Sequence, residues 1–279
     1  MDPHICKNCG NHFSGKYCNA CGEKVYTQAD KKIKYLVADV FHFISHFEGK
    51  FLLTVKTILT KPGKFSFDYC DGIRNKYFKP LSFFLLLVII YLIFPIAQGL
   101  NMSLSSHVNA STYSGYAKSE VIKLLRVKHF SEDFLIESFH KKSEIVSKLL
   151  LVLIIPLMAW LTWAITRKKQ KLYFDHFIFS TEINSFMVLW GFLILPLLSG
   201  LVYWIISLLT KKEYFSDIAF AVILISFICI FLFMASMRFF SFRVWQSLLF
   251  SIIYVAVYVS IIQFVYKFLL FFITIKLIH

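Results

Sequence analysis

Charge is scarce in this chain. Asp, Glu, Lys and Arg make up 16% of its 279 residues, against about a quarter in an average soluble chain. Acids are scarcer than bases, 16 against 30, and 10 Gly stand beside 32 Phe. So little charge excludes an ordinary soluble enzyme, and so apolar a chain is not disordered. The familiar catalytic signatures are missing too: there is no serine nucleophile elbow, no phosphate-cradling glycine loop and no H-E-x-x-H pair. No apolar run opens the sequence and no lipidation motif marks its ends, so neither a cleaved signal peptide nor a lipid anchor is expected.

What remains is apolar and basic. Hydrophobic residues reach 58%, aromatics 18%, mean hydropathy is +0.66 and net charge is +14. That pairing predicts an all-α polytopic membrane protein with basic segments on one side. A span needs about 20 apolar residues. Five windows qualify, near 81–97, 149–166, 186–209, 218–237 and 248–275. The alternative is four spans with the last segment re-entrant. Residues 1–79 hold 13 Lys and Arg against 7 Asp and Glu, Arg167-Lys168-Lys169-Gln170-Lys171 follows the second window, and Arg238 and Arg243 follow the fourth. By the positive-inside rule these regions share the cytosolic face. The expected location is the bacterial cytoplasmic (inner) membrane, with the N-terminus cytosolic and the C-terminus exterior.

Four of the six cysteines fall in two C-x-x-C-G units, Cys6-Lys7-Asn8-Cys9-Gly10 and Cys18-Asn19-Ala20-Cys21-Gly22. Each unit lets two thiolates grip one metal from a tight turn, and two units give the four-cysteine tetrahedron of structural zinc. Asn11–Lys16 can close a short hairpin between them. Redox pairs and disulfides are the alternatives. A cytosolic setting disfavours disulfides, and no βαβ unit surrounds either pair. Cys6, Cys9, Cys18 and Cys21 are therefore the expected Zn2+ ligands, in a zinc ribbon over 1–26. Four protein ligands leave no position for water, so the site is structural.

Residues 31–59 carry apolar side chains at helical spacing, with Ile33, Val37, Val40, Ile44, Phe47, Phe51, Val55 and Ile58 on one face. Lys32, Asp39, His42, His46, Lys50 and Thr57 take the other face, which is read as solvated rather than metal-binding. This interfacial helix and a basic linker fill 31–79, ahead of a membrane domain over 80–279 with an exterior loop at 99–147. Lys61-Pro62-Gly63 ends the helix, and Arg74, Lys76 and Lys79 lead into the first span. With Arg167, Lys168 and Lys169 they are candidate contacts for anionic lipid headgroups. Asp175, His176 and Glu182 sit at the edge of the third window, a polar site read as structural, with capture of a proton or cation as the alternative. Residues 118–147 look mildly helical and suggest a small exterior cap. Cys229 reads as a core residue.

The paired knuckles, the Lys61-Pro62-Gly63 step, Asp71-Gly72-Ile73-Arg74 with Tyr77 and Pro80, and Phe174-Asp175-His176-Phe177-Ile178-Phe179-Ser180 with Ser185-Phe186 resemble the domain-of-unknown-function 3667 family. The resemblance implies a zinc ribbon on a multi-span domain and no activity. Ser180-Thr181-Glu182-Ile183-Asn184 stands where that family has a His-rich stretch. The layout is also similar to Yip-type five-span membrane proteins, with a short amphipathic stretch at 174–185 and Pro196 in the third window. The function these features imply is a non-enzymatic adaptor or assembly factor, with membrane lipid around the bundle and a protein partner on the ribbon. A transporter or lipid-handling protein with purely structural zinc is the alternative. A nucleic-acid or ribosome contact is a third reading, permitted by the basic segments.

Overall fold

The computed structural model describes residues 3–6, 9–21, 49–94, 100–127, 130–166, 172–210 and 217–278. The chain divides into two compact units, Met1–Lys50 and Phe51–His279.

In the first unit β1 (Pro3–Ile5) pairs antiparallel with β2 (His12–Ser14), with Ile5 opposite His12. The first knuckle is itself the hairpin turn. Gly10 N–H donates to Cys6 O and Cys6 N–H to Asn11 O, both at 2.9 Å, and Gly10 takes φ 73°, which a side chain would resist. The hairpin thus lies across the first knuckle, whereas the sequence suggested Asn11–Lys16 as the closing segment. Phe13 packs with Cys6 and Cys18 in a core of three side chains.

The second unit is helical. Residues 51–60 form α1. A turn at Lys61-Pro62-Gly63 leads into α2 (Lys64–Cys70). A loop then reaches α3 (Pro80–Ile93), whose first-turn proline needs no N–H partner. The interfacial helix expected over 31–59 is described only in its last part, and Asp39, His42 and His46 lie outside the described residues. Thr57, placed on the solvated face by periodicity, is buried beside Ile58, while Leu52 and Leu53 are exposed. The reason is local. Thr54 and Thr57 face the loop before α3, where Thr54 Oγ1 accepts Phe78 N–H at 3.0 Å.

Among the described residues, four helical runs are long and apolar enough to cross a membrane: Glu132–Ile165, Tyr173–Val202, Phe220–Phe240 and Val244–Leu277. The first is α6 (Glu132–Ile165). The second joins α7 (Tyr173–Phe186), a π-helical stretch at Met187–Ile194 and α8 (Leu195–Thr210). The third lies in α9 (Asp217–Phe240). The fourth joins α10 (Val244–Ser260), a π stretch at Ile261–Tyr266 and α11 (Lys267–Leu277). The last segment is therefore a continuous helix and not a re-entrant one. α3 is a shorter apolar helix of 14 residues, so the described residues hold four long helices where the sequence suggested five windows. Its buried face carries Phe84, Leu87 and Tyr91, and its exposed face carries Leu85, Ile89 and Leu92. A helix apolar on both sides belongs in an apolar medium. Outward-facing Leu153, Trp160, Leu201, Ile230 and Ile252 extend the same surface around the other helices, which is how a lipid-facing bundle differs from a soluble one.

The helical cap expected over 118–147 begins earlier, within the stretch read as a loop. α4 (Leu104–Ala110), α5 (Ser114–Val127) and the start of α6 share a core of Leu104, Ala117, Leu124, Leu135 and Phe139 with Phe271, Ile275 and Ile278. α7 lies at the centre of the bundle, packed on α6, α3 and α2.

Candidate metal centre and a buried carboxylate clamp

The two knuckles bring four thiols together. Cys6 and Cys21 sulfurs are 3.5 Å apart, Cys9 and Cys18 3.7 Å, and all four lie within 4.8 Å of one another. A tetrahedral ion with metal–sulfur bonds of about 2.3 Å needs sulfurs about 3.8 Å apart, so the donor set fits a single ion. Cys6 and Cys18 are buried and Cys9 and Cys21 exposed. Asn11 Nδ2 donates to Asn19 Oδ1 at 2.8 Å and points at the Cys18 sulfur from 4.0 Å, the outer-shell position that steadies a thiolate. Burial pushes the Cys18 thiol up, but backbone N–H groups of Cys21 and Ala20 outweigh it and bring it down, whereas at Cys9 the Asn11 backbone N–H is outweighed by the neighbouring thiols, which push it up. The thiolate is the form a metal takes. A core of three side chains among the described residues is too small to hold this hairpin, so an ion bound by the four thiolates would supply much of its stability.

The second cluster lies within the helical unit. α7 is polar yet enclosed: His176, Ser180, Thr181, Glu182 and Ser185 are all fully buried. A buried carboxylate requires donors, and Glu182 finds them over a hundred residues upstream. Its Oε1 accepts Gly63 N–H at 2.8 Å and its Oε2 accepts Ser66 N–H at 2.8 Å. The Ser66 hydroxyl donates to Oε2 as well. Gly63 is the N-cap of α2, which has no side-chain cap of its own. Glu182 thus caps α2 from another helix, satisfying orphan N–H groups at its positive end. From α9, the Arg238 guanidinium donates to Pro62 O. Gly63 has φ 75°, and a Cβ there would stand 2.6 Å from Ala235 O. Two helices therefore grip the Pro62-Gly63 step, and glycine alone fits it.

A third node fixes the loop after α2. Tyr77 OH donates to Asp68 Oδ2 at 2.6 Å, Lys64 pairs with Oδ1 at 3.0 Å, and Lys76 lies 3.8 Å from Oδ2. Burial pushes the Asp68 carboxyl up, but the Tyr77 hydrogen bond and the two lysines hold it below the usual carboxylate range.

The basic and polar candidates separate accordingly. Lys76 is engaged by Asp68. Arg74 stands 5.4 Å from the Tyr69 ring and 5.6 Å from the Phe174 ring. Lys79 lines a cleft of about 490 Å³ with Ser82, Tyr173 and Phe177. Arg167, Lys168 and Lys169 lie outside the described residues. Asp175 is partly exposed and accepts Leu172 N–H at 3.0 Å, capping its own helix. His176 stacks on Phe240 at 5.5 Å. Asp175, His176 and Glu182 thus have separate partners. Gly63, Ser66, Arg238 and the Asp68–Tyr77 pair did not figure among the sequence candidates. The available signal was an acid inside a helical apolar stretch, which demands donors, beside a Pro-Gly step that offers free N–H groups.

No curated protein and no solved structure matches the chain. Residues 48–92 match the model of the family described as Protein of unknown function (DUF3667), and the four-cysteine cluster with several apolar helices fits the layout expected of that family.

Proposed function

We propose that this protein is a non-enzymatic membrane adaptor or assembly factor. Its knuckle holds structural zinc and presents a docking surface to a protein partner on the cytosolic side, and the helical bundle keeps that surface at the membrane. The observation that carries the reading is the closed donor set: four sulfurs within 4.8 Å of one another complete a tetrahedron and leave no position for a reacting water. Four soft thiolates favour zinc over hard cations. The bundle supports the same reading. A proton- or cation-coupled transporter needs an available ionisable group within its spans. Glu182, the fully buried acid of the described spans, has both its oxygens taken by α2, His176 is stacked on Phe240, and Lys148 pairs with Glu144.

The test is crosslinking mass spectrometry in cells, comparing wild type with Cys6→Ser/Cys9→Ser at matched membrane levels, together with the metal content of the purified chains. Bound zinc in wild type and a partner lost only in the variant are expected. An identical set of crosslinked proteins in both would end the adaptor reading, and a wild-type protein that purifies with iron or no metal would end the zinc assignment.

A further inference from the structure

The cleft beside Lys79 has the chemistry of a lipid site. It opens between the last turn of α2, the start of α3 and the start of α7, and Tyr69, Lys79, Ser82, Tyr173, Phe174 and Phe177 line it. Its volume, about 490 Å³, is in the range of small-ligand sites, which run from about 300 to 1,000 Å³. The walls are aromatic and aliphatic, the mouth is basic, and no carboxylate is among the lining residues. Lys79 makes no ion pair among the described residues, whereas Lys64 and Lys76 are both drawn to Asp68. A second cation stands at the rim, where the Arg74 guanidinium lies over Tyr69 and Phe174, two of the rings that form the walls.

Position narrows the ligand further. α3 and α7 both become lipid-facing within a turn or two of the cleft, through exposed Leu81 and Leu85 on α3 and exposed Tyr173 and Phe174 on α7. Aromatic side chains at the start of an apolar helix mark the level of the headgroups. A charge site at that level, continuous with an apolar surface, suits a molecule with an anionic head and an apolar tail.

We infer that this cleft binds one anionic glycerophospholipid from the surrounding bilayer. Its phosphate sits between Lys79 and Arg74 and its acyl chains lie along Phe177 and the exposed face of α3. The inference does not depend on the zinc knuckle, so it stands or falls separately from the adaptor reading.

The experiment is native mass spectrometry of the full chain released from detergent. Phosphatidylglycerol and phosphatidylcholine of identical acyl composition are titrated separately, with inorganic phosphate as a competitor. Wild type is expected to retain phosphatidylglycerol in preference to phosphatidylcholine. Lys79→Gln should lower phosphatidylglycerol retention about fivefold, the size of one basic contact at a membrane surface, and Lys79→Arg should restore it. Lys141→Gln makes the same change in net charge on an exposed residue of α6 and should leave retention unchanged. Ser82→Trp fills the cleft from an exposed position without removing charge and should abolish the preference. Equal retention of the two lipids by wild type would overturn the inference, as would Lys79→Gln or Ser82→Trp behaving like Lys141→Gln. Displacement of phosphatidylglycerol by inorganic phosphate alone would reassign the site to a free anion and overturn it as well.

Discussion

At the scale of single residues, Glu182 and Gly63 form one device seen from two sides. Removing the carboxylate leaves the N–H groups of Gly63 and Ser66 buried without an acceptor and removes an acid that interacts electrostatically with Arg238. Breaking a buried charged contact from one side costs about 3 kcal/mol or more. Glu182→Ala is therefore expected to lower the thermal midpoint of the full chain in detergent by about 6 °C or more. Glu182→Gln, which keeps one acceptor oxygen, should fall between. Gly63→Ala drives a methyl into Ala235 O at an unfavourable φ, and its penalty should be similar. The double variant Glu182→Ala/Gly63→Ala should cost less than the sum, because each change already opens the same contact. Wild-type melting of Glu182→Ala would show that the carboxylate stabilises nothing. This contact also marks the limit of the sequence. The cysteine knuckles are legible because a metal turn is local, with its ligands three residues apart. The clamp joins positions separated by 116 and 119 residues, and nothing in the local pattern around Glu182 names Ser66.

At the scale of elements, the cap built by α4, α5 and α6 carries a pH dependence. His107 is fully buried. Tyr113 OH donates to Lys267 O at 2.8 Å, so His107 Nδ1, 2.6 Å from that hydroxyl, is the donor in their contact. The ring is then the neutral Nδ1–H form, and its Nε2 has no partner among the described residues. Burial, with the Lys267 charge behind it, pulls the imidazole down to about 4. An unfolded histidine titrates near 6.5. Between those values the opened cap binds more protons than the closed one, so acid favours opening. The cap keeps its full stability above about pH 6.5, loses it progressively as the pH falls toward 4, and loses no more from this group below that. The whole effect is at most about 3 kcal/mol. Hydrogen exchange over Ser114–Val127 should quicken across that window in wild type, and His107→Gln should flatten the dependence. A profile unchanged by the substitution would remove His107 as its cause. The helical character of this region was visible in apolar spacing. Its docking on Phe271 and Ile275 was not, because that face is completed from the far end of the chain. The misplacement of Thr57 has the same origin: a periodic pattern reports polarity, and this threonine's polar group is used inside the protein.

At the scale of the whole molecule, α3 decides which way the chain is threaded. Among the described residues four helices have the length to cross, and α3 has 14 residues, about 21 Å at 1.5 Å per residue, against a hydrocarbon core of about 30 Å. Length alone argues against crossing. Composition argues for it, since both faces of α3 are apolar and no acid or base lies between Pro80 and Ile93. The shortfall is also modest in energy, because mismatch costs only fractions of a kcal/mol per Å and is met by local thinning or by packing on longer neighbours. α3 has such neighbours in α6 and α7. The expectation is that α3 crosses, with Arg74 and Ser105 on opposite sides. Cysteines introduced one at a time as Arg74→Cys and Ser105→Cys, in a chain whose Cys70 and Cys229 are changed to Ser and read against that parent chain as the blank for the knuckle thiols, test this in intact cells with a membrane-impermeant maleimide. Both introduced positions are exposed in the fold, so failure to react reports the membrane and not burial. Labelling at Ser105 alone places the cap outside and the basic loop inside, the direction the lysines and arginines favour. Labelling of both or neither would mean that α3 lies in one leaflet, and the chain would then have four spans.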